Sequence, residues 1–275
     1  MVPTFLLMLR EGLEAALIVA ILAAYLVRIG RRDALPKVWW GVVSALGLSI
    51  AVGLVLVVTI GQLPAIVQET VEGLAGLLAV GVLTWMLFWM RRQGRALKGE
   101  LERDVHVALA GGSTAAIVSL AFIAVAREGL ETVLFLVAII SSAGAGLPTA
   151  AGALAGLAMA VAIGGAIFLG GIRINLRRFF TVTGTMLIFV AAGLVAFGIH
   201  EFGEGGLISN QGVAFNIGAV LPETGPLGTL LAGLFGYRSS PTPLELVAYL
   251  AYLAPVLVLF IFDERLLFRR HPADA

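Results

Sequence analysis

The chain contains no cysteine, so disulfides, thiolate metal sites and thiol nucleophiles are excluded. Any metal handled here is bound by oxygen or imidazole. Lysine is nearly absent: Lys37 and Lys98 are the only two, and neither lies within an apolar stretch. That excludes a seven-helix protein holding retinal on an intramembrane lysine. The histidines are His106, His200 and His271, so no His-Glu-x-x-His metalloprotease signature exists. Charge is scarce too, at 13% of residues, about half the usual share. The net charge of +1 argues neither for nor against a nucleic-acid partner, and none is expected.

Apolar residues fill the gap, at 60% of the chain against about 45–50% in soluble domains. No soluble core of this length needs so much apolar surface, so the solvent is lipid. Seven stretches are long enough to cross hydrocarbon, which takes roughly 20 helical residues. They lie near 4–27, 38–60, 71–90, 112–141, 148–171, 179–199 and 245–262. Glycines at 111, 112 and 129 make the long fourth span a candidate for tilting or kinking. The first stretch lacks a basic leader and is interrupted by Arg10, Glu11 and Glu14, so it reads as a span rather than a cleaved signal.

Basic residues assign the sides. Arg28, Arg31, Arg32 and Lys37 follow span 1, and Arg91, Arg92, Arg95, Lys98 and Arg103 follow span 3. Arg173, Arg177 and Arg178 follow span 5, and Arg265, Arg269 and Arg270 follow span 7. The alternate connections hold only Arg238. This pattern puts the N-terminus outside and the C-terminus in the cytoplasm, and it requires an odd number of spans. The glycine- and proline-broken segment 205–244 reads as an outer loop, with a short helix near 227–236 on or dipping into the membrane. Trp39, Trp40, Trp85, Phe88 and Trp89 read as interfacial aromatics.

The stretch LREGLEAALIVAI at 9–21 resembles AREGLETVLFLVA at 126–138. Five consecutive residues are identical, and they fall in spans 1 and 4. The repeat unit is therefore three helices, an odd number, so the second unit is inserted upside down. The expected fold is all-α: a polytopic membrane protein of seven transmembrane helices, with an inverted three-helix repeat and an added seventh helix. It reads as one transmembrane domain, with repeat A about 1–92, repeat B about 108–204, the outer loop 205–244 and helix 7 about 245–262.

Arg10 and Glu14, four residues apart, lie one above the other on a helix, and Glu11 is about 100° away. Arg127, Glu128 and Glu131 repeat the pattern. Each charge in the bilayer costs about 2.5–3.5 kcal/mol, so the six must face a bundle interior, pair, or meet a ligand. Four carboxylates against two guanidiniums leave an excess negative charge that favours a hard cation. Structural Arg–Glu pairing alone would need one carboxylate per arginine. Further acids sit at outer span ends. Glu69 and Glu72 open span 3, and His200, Glu201 and Glu204 follow span 6. Both Glu-x-x-Glu pairs place two carboxylates on one helix face. Because spans 3 and 6 correspond in the repeat, the pairs are expected to form a second acidic layer. His200 is either a supporting ligand or an interfacial anchor. Glu223 and Glu245 read as solvated loop and cap residues. An acidic mouth of this kind concentrates cations.

At this point the residues resemble a known family, the oxidase-dependent iron permeases of fungi and bacteria. The resemblance rests on the paired Arg-Glu-Gly-Leu-Glu, V-E-G at 71–73 leading to W-M-L-F-W-M at 85–90, and H-E-F-G-E-G at 200–205. It covers the whole chain. It implies iron, Fe3+ or Fe2+, as transported substrate, with no permanently bound cofactor and no enzymatic activity. It implies iron binding by Glu11, Glu14, Glu128 and Glu131 during translocation, and capture by Glu69, Glu72, Glu201 and Glu204. Arg10 and Arg127 are expected to hold the carboxylates ionised and aimed. The long acidic tail of fungal members is missing, so a ferroxidase or iron-binding partner would be a separate extracytoplasmic polypeptide. The expected location is the inner membrane, in contact with lipid. The rival readings are a carrier for another cation, such as manganese or lead, and a structural subunit of a larger membrane complex.

Overall fold

The computed structural model describes residues 1–93, 103, 105–107, 114–144, 146–169, 175–223 and 225–268. Of the residues weighed above, Arg95, Lys98, Gly111, Gly112, Arg173, Arg269, Arg270 and His271 lie outside that set. Among the described residues there is no strand. The long elements are α1 (Val2–Arg28), α2 (Leu35–Ile60), α3 (Ala65–Gln93), α4 (Thr114–Ala143), α5 (Leu147–Phe168) and α6 (Leu176–Glu204). A short α7 (Pro226–Phe235) and a long α8 (Pro243–Phe268) complete the series. Pro3, Pro36 and Pro148 sit in the first turn of α1, α2 and α5, where a missing N–H costs nothing. Gly236 ends α7 in the left-handed region, at φ +64°, as a helix C-terminus commonly requires.

Among the described residues five helical stretches are long and apolar enough to cross a membrane: 32–60, 65–90, 147–168, 178–204 and 243–262. α1 and α4 are as long, at 27 and 30 residues, but the motif charges interrupt their apolar character. Large apolar side chains such as Trp40, Ile50, Leu54 and Val55 of α2 are more than half exposed, which suits lipid and not water. α4 runs unbroken through Gly129.

The chain forms two compact units that interleave along the sequence. The first takes residues 1–63 and 90–180, and the second 64–89 and 181–275. In the first unit α1 packs along α5 and α4, and α2 packs along α4. Small residues set these approaches. A Cβ at Gly12 would lie 2.9 Å from the Ala160 Cβ, and one at Gly129 would collide with the Ser49 hydroxyl. A Cβ at Gly41 would strike α4 at Ala121 (2.8 Å), and one at Gly152 would strike the start of α1 at Met1 and Thr4. Around these seams lies a buried core of Ile18, Leu22, Leu26, Val38, Val42, Ala45, Ile117, Ala121 and Val125.

In the second unit α3 and α6 run antiparallel. A Cβ on Gly73 would meet Phe202 (2.9 Å), one on Gly198 would meet Leu77 (3.0 Å), and one on Gly184 would meet Leu87 (3.0 Å). Gly193 of α6 takes the backbone of Gly236 at close range, so α7 is seated on α6. α8 joins through the Thr84–Tyr252 hydroxyl pair (2.6 Å) and the edge-on Phe88–Phe260 rings.

Hydrogen bonds tie together the described part of the segment 205–244. Ala214 and Ile217 donate backbone N–H groups to Pro241 and Ser239 carbonyls, and the Tyr237 hydroxyl donates to the Leu221 carbonyl at 2.7 Å. The short helix expected near 227–236 is present. Glu223 accepts the Ser239 N–H at 2.5 Å. Glu245 departs from expectation. It does cap its helix, exchanging bonds with Thr242 in a capping box (3.2 and 3.4 Å), but it is not solvated. Only 2% of it is exposed, and its carboxylate gathers His200 Nδ1 (2.9 Å), Asn210 Nδ2 (3.0 Å) and Arg238 Nη1 (3.6 Å). Partners from three parts of the chain draw it inward.

Candidate functional site

The site begins with helix geometry. Glu11 and Glu14 leave α1 on the side that faces α4, because Gly12, between them, packs the neighbouring side onto α5. Glu128 and Glu131 leave α4 likewise, beside Gly129, which packs on α2. The facing sides meet. Ligand oxygens of Glu11, Glu128 and Glu131 all lie within 4.8 Å of one another. Glu11 and Glu128 are 1% and 2% exposed, and the Glu131 side chain 14%.

Two arginines flank the cluster in different ways. Arg10 is buried, and its Nε lies 3.1 Å from Glu14 Oε1. Its Nη2 donates to the Met90 sulfur at 3.1 Å. Arg127 donates twice to one oxygen of Glu128, from Nη2 at 2.6 Å and Nε at 3.0 Å. It lies 3.9 Å from Glu131. Both oxygens of Glu11, one each of Glu14, Glu128 and Glu131, and Nε and Nη1 of Arg10 are buried without a hydrogen-bond partner. Five such oxygens against two such donors leave an excess of acceptors that a cation or further donor would satisfy. Three hard carboxylates within ligand reach suit a divalent or trivalent first-row metal, and nothing in the donor set favours Cu(I).

The four motif glutamates are thus not equivalent. Glu11, Glu128 and Glu131 come within ligand distance of one another, and Glu14 lies beside them, paired with Arg10. Met90 was missed from sequence, where it closes an apparent interfacial aromatic string. No spacing signal ties it to Arg10, eighty residues away.

The outer acids belong to the second unit. α3 extends upstream through Glu69 and Glu72, and α6 extends through Glu201 and Glu204, so all four are helical. The antiparallel packing brings the start of α3 beside the end of α6. Glu69 and Glu72 are close enough to act electrostatically on Glu201. Gln68 Nε2 holds Glu72 at 2.8 Å. Among the described residues these acids form no group of three at mutual ligand distance. His200 has both ring nitrogens engaged, with Nε2 accepting from Arg238 at 3.2 Å and Nδ1 facing Glu245.

Comparison with known proteins meets this geometry from the other side. No solved structure matches the chain. The chain is 44% identical to the ferrous iron permease EfeU of Escherichia coli O6:K15:H31 over 264 residues, covering 95% of each protein. It is 44% identical to the EfeU of Yersinia pestis over 265 residues, 95% of this chain and 93% of that one. The EfeU of Shigella sonnei gives 44% over 264 residues, again 95% of each. The iron permease FTR1 family model matches residues 1–269, and with a buried carboxylate cluster between its two repeated motifs, the chain belongs to that family.

Proposed function

We propose that this protein is a permease that brings ferrous iron across the cytoplasmic membrane, through the carboxylates of Glu11, Glu128 and Glu131. The observation that carries this reading is the buried triad with its four unpartnered oxygens. Family membership supplies the cargo, and the relatives' names specify the ferrous form. The protein transports and does not catalyse. Arg127 clamps Glu128 through two N–H donors, a geometry lysine does not reproduce, and Arg10 balances Glu14 as an ion pair. Glu14 is the reserve ligand, freed whenever Arg10 turns away.

The membrane frame of this reading is a single permease domain with seven spans, α1 to α6 and α8. An inverted repeat is supported by reciprocal contacts. If Arg10 corresponds to Arg127, then Gly12 corresponds to Gly129, and α2 corresponds to α5. Gly12 packs on Ala160 of α5, and Gly129 on Ser49 of α2. Gly41 of α2 packs on Ala121 of α4, and Gly152 of α5 on Thr4 of α1. Gly53 approaches Val133, and Gly164 approaches Ala16. Each contact has its counterpart in the other half, as a two-fold axis through the α1–α4 contact requires. The basic connections then face the cytoplasm, with the N-terminus outside.

Glu69, Glu72, Glu201 and Glu204 form an outer capture layer, brought together by the antiparallel packing of α3 and α6. The two pairs sit at opposite ends of their helices, so repeat symmetry does not relate them. An extracytoplasmic iron-binding protein or ferroxidase would deliver there. The deciding experiment is uptake by purified protein in liposomes, comparing ferrous iron under reductant with ferric iron and Mn(II). Ferrous uptake abolished by Glu128→Ala is the expected result. Mn(II) uptake without iron uptake would change the cargo, and no metal uptake at all would favour a structural subunit.

A further inference from the structure

The two motif helices correspond residue for residue, yet their equivalent faces are unlike. Leu6, Arg10 and Leu13, spaced along one face of α1, are 8%, 1% and 0% exposed. Their counterparts on α4 are Ile123, at 66%, Arg127, at 45% for the side chain, and Leu130, at 40%. The α1 face is covered by two chain segments. Met90, near the end of α3, takes the Arg10 guanidinium. Phe179 and Phe180, near the start of α6, pack edge to face at 5.3 Å on the layer of Leu9, Leu13 and Leu17. Both segments adjoin the basic connections. The ion pairs differ in the same sense: Arg127 clamps Glu128, while Arg10 leaves its counterpart Glu11 with both oxygens open. A half-exposed guanidinium in mid-helix is costly in hydrocarbon, even paired with Glu128, and calls for a polar surround on its open side.

Resting on the permease reading above, we propose that Met90, Phe179 and Phe180 are a closed gate on the cytoplasmic side of the carboxylate cluster, and that the α4 face at Arg127 and Leu130 is the open aqueous approach. Transport exchanges the two faces. The gate releases Arg10, which swings to clamp Glu11, and the α4 face closes as Arg127 releases Glu128. Met90 is a positioning residue in this scheme. Its thioether is the neutral anchor that keeps Arg10 off Glu11. The carboxylate cluster thereby changes which of its members is free, and a bound cation is handed from α1 to α4 without leaving the site.

The absence of cysteine makes the test clean, since an introduced thiol reports only its own position. Leu130→Cys and Leu13→Cys are reconstituted in sealed vesicles of known sidedness and treated with a charged, membrane-impermeant thiol reagent on either side. Leu130→Cys is expected to react from outside, and Leu13→Cys from neither side. Adding Met90→Ala and Phe180→Ala to Leu13→Cys should raise its reaction from the cytoplasmic side at least tenfold. Should that variant not fold, Met90→Leu keeps the bulk and removes the sulfur acceptor, and a smaller rise is expected. Saturating ferrous iron should accelerate labelling of Leu13→Cys with the gate residues intact, because turnover opens the gate. An unreactive Leu130→Cys overturns the proposal, as does a Leu13→Cys whose reactivity responds neither to the gate variants nor to iron. Loss of iron uptake with this labelling pattern intact would count against the cargo and leave the gate standing.

Discussion

Replacing Glu11 by glutamine should make the protein more stable and less able to transport. Glu11 shares a space within 4.8 Å with Glu128 and Glu131. At an effective dielectric constant of about 20, two unit charges at that distance repel by about 3.5 kcal/mol. Glutamine has the same shape, so no cavity forms and packing on α1 is untouched. With all three ionised it would remove two such repulsions, about 7 kcal/mol together; buried carboxyls that share protons repel far less, so the expected gain is a small part of that. Its amide also brings two donors within reach of the unpartnered oxygens of Glu128 and Glu131. A point mutation chosen at random destabilises by about 1 kcal/mol, so the expected sign is opposite to the usual one. The assay is thermal unfolding of the detergent-purified proteins without iron, paired with initial-rate iron uptake in liposomes. A Tm raised by a few degrees, with uptake reduced at least tenfold, is expected. A lower Tm with unchanged uptake would show that Glu11 is an ordinary packed residue and that the cluster holds no functional strain.

The remaining predictions concern capture and packing. Glu201→Ala should raise the KM for iron more than it lowers the maximal rate, with a defect that shrinks at high iron and varies with salt. Glu128→Ala should lower the maximal rate at any iron concentration, and equal loss of maximal rate in both would merge the two layers into one path. Gly129→Ala should destabilise by about 1–3 kcal/mol through collision with Ser49, and Ser49→Gly should restore much of it. Additive effects in that double variant, read from unfolding midpoints, would remove the seam from the account.

The long apolar stretches were legible because lipid imposes length and composition on a spanning helix; among the described residues five helices meet that test, and helix ends fall up to six residues beyond the expected ones. The site was legible where rare charges recur, so Glu11, Glu128 and Glu131 needed only the helical repeat to be grouped. Glu14 was grouped with them too; it lies beside the triad rather than within its 4.8 Å circle, because the i,i+4 spacing that puts it on the face also puts it under Arg10. Glu245 was misread for a related reason. Its spacing from Thr242 spells a helix cap, and nothing local announces that His200, Asn210 and Arg238 will close over it. Met90 carried no signal at all, since a thioether accepting from a guanidinium leaves no periodic trace. Contacts between distant segments were the part that sequence withheld.

The pairing of α1 with α5 has a consequence for biosynthesis. About 140 residues lie between Arg28, where α1 ends, and Phe168, where α5 ends. At ribosomal speeds of 5–20 residues per second, that is a wait of roughly 7–28 s. Throughout it, a helix bearing an arginine and two glutamates lacks its packing partner α5, and for roughly the first hundred residues it lacks the facing motif on α4 as well. On the seven-span reading such a helix is a poor guest of bare lipid, and it would linger beside the insertion machinery until its partners emerge. Chains cut short before α5 would keep those charges exposed, a mark by which quality-control proteases could tell unfinished copies from finished ones.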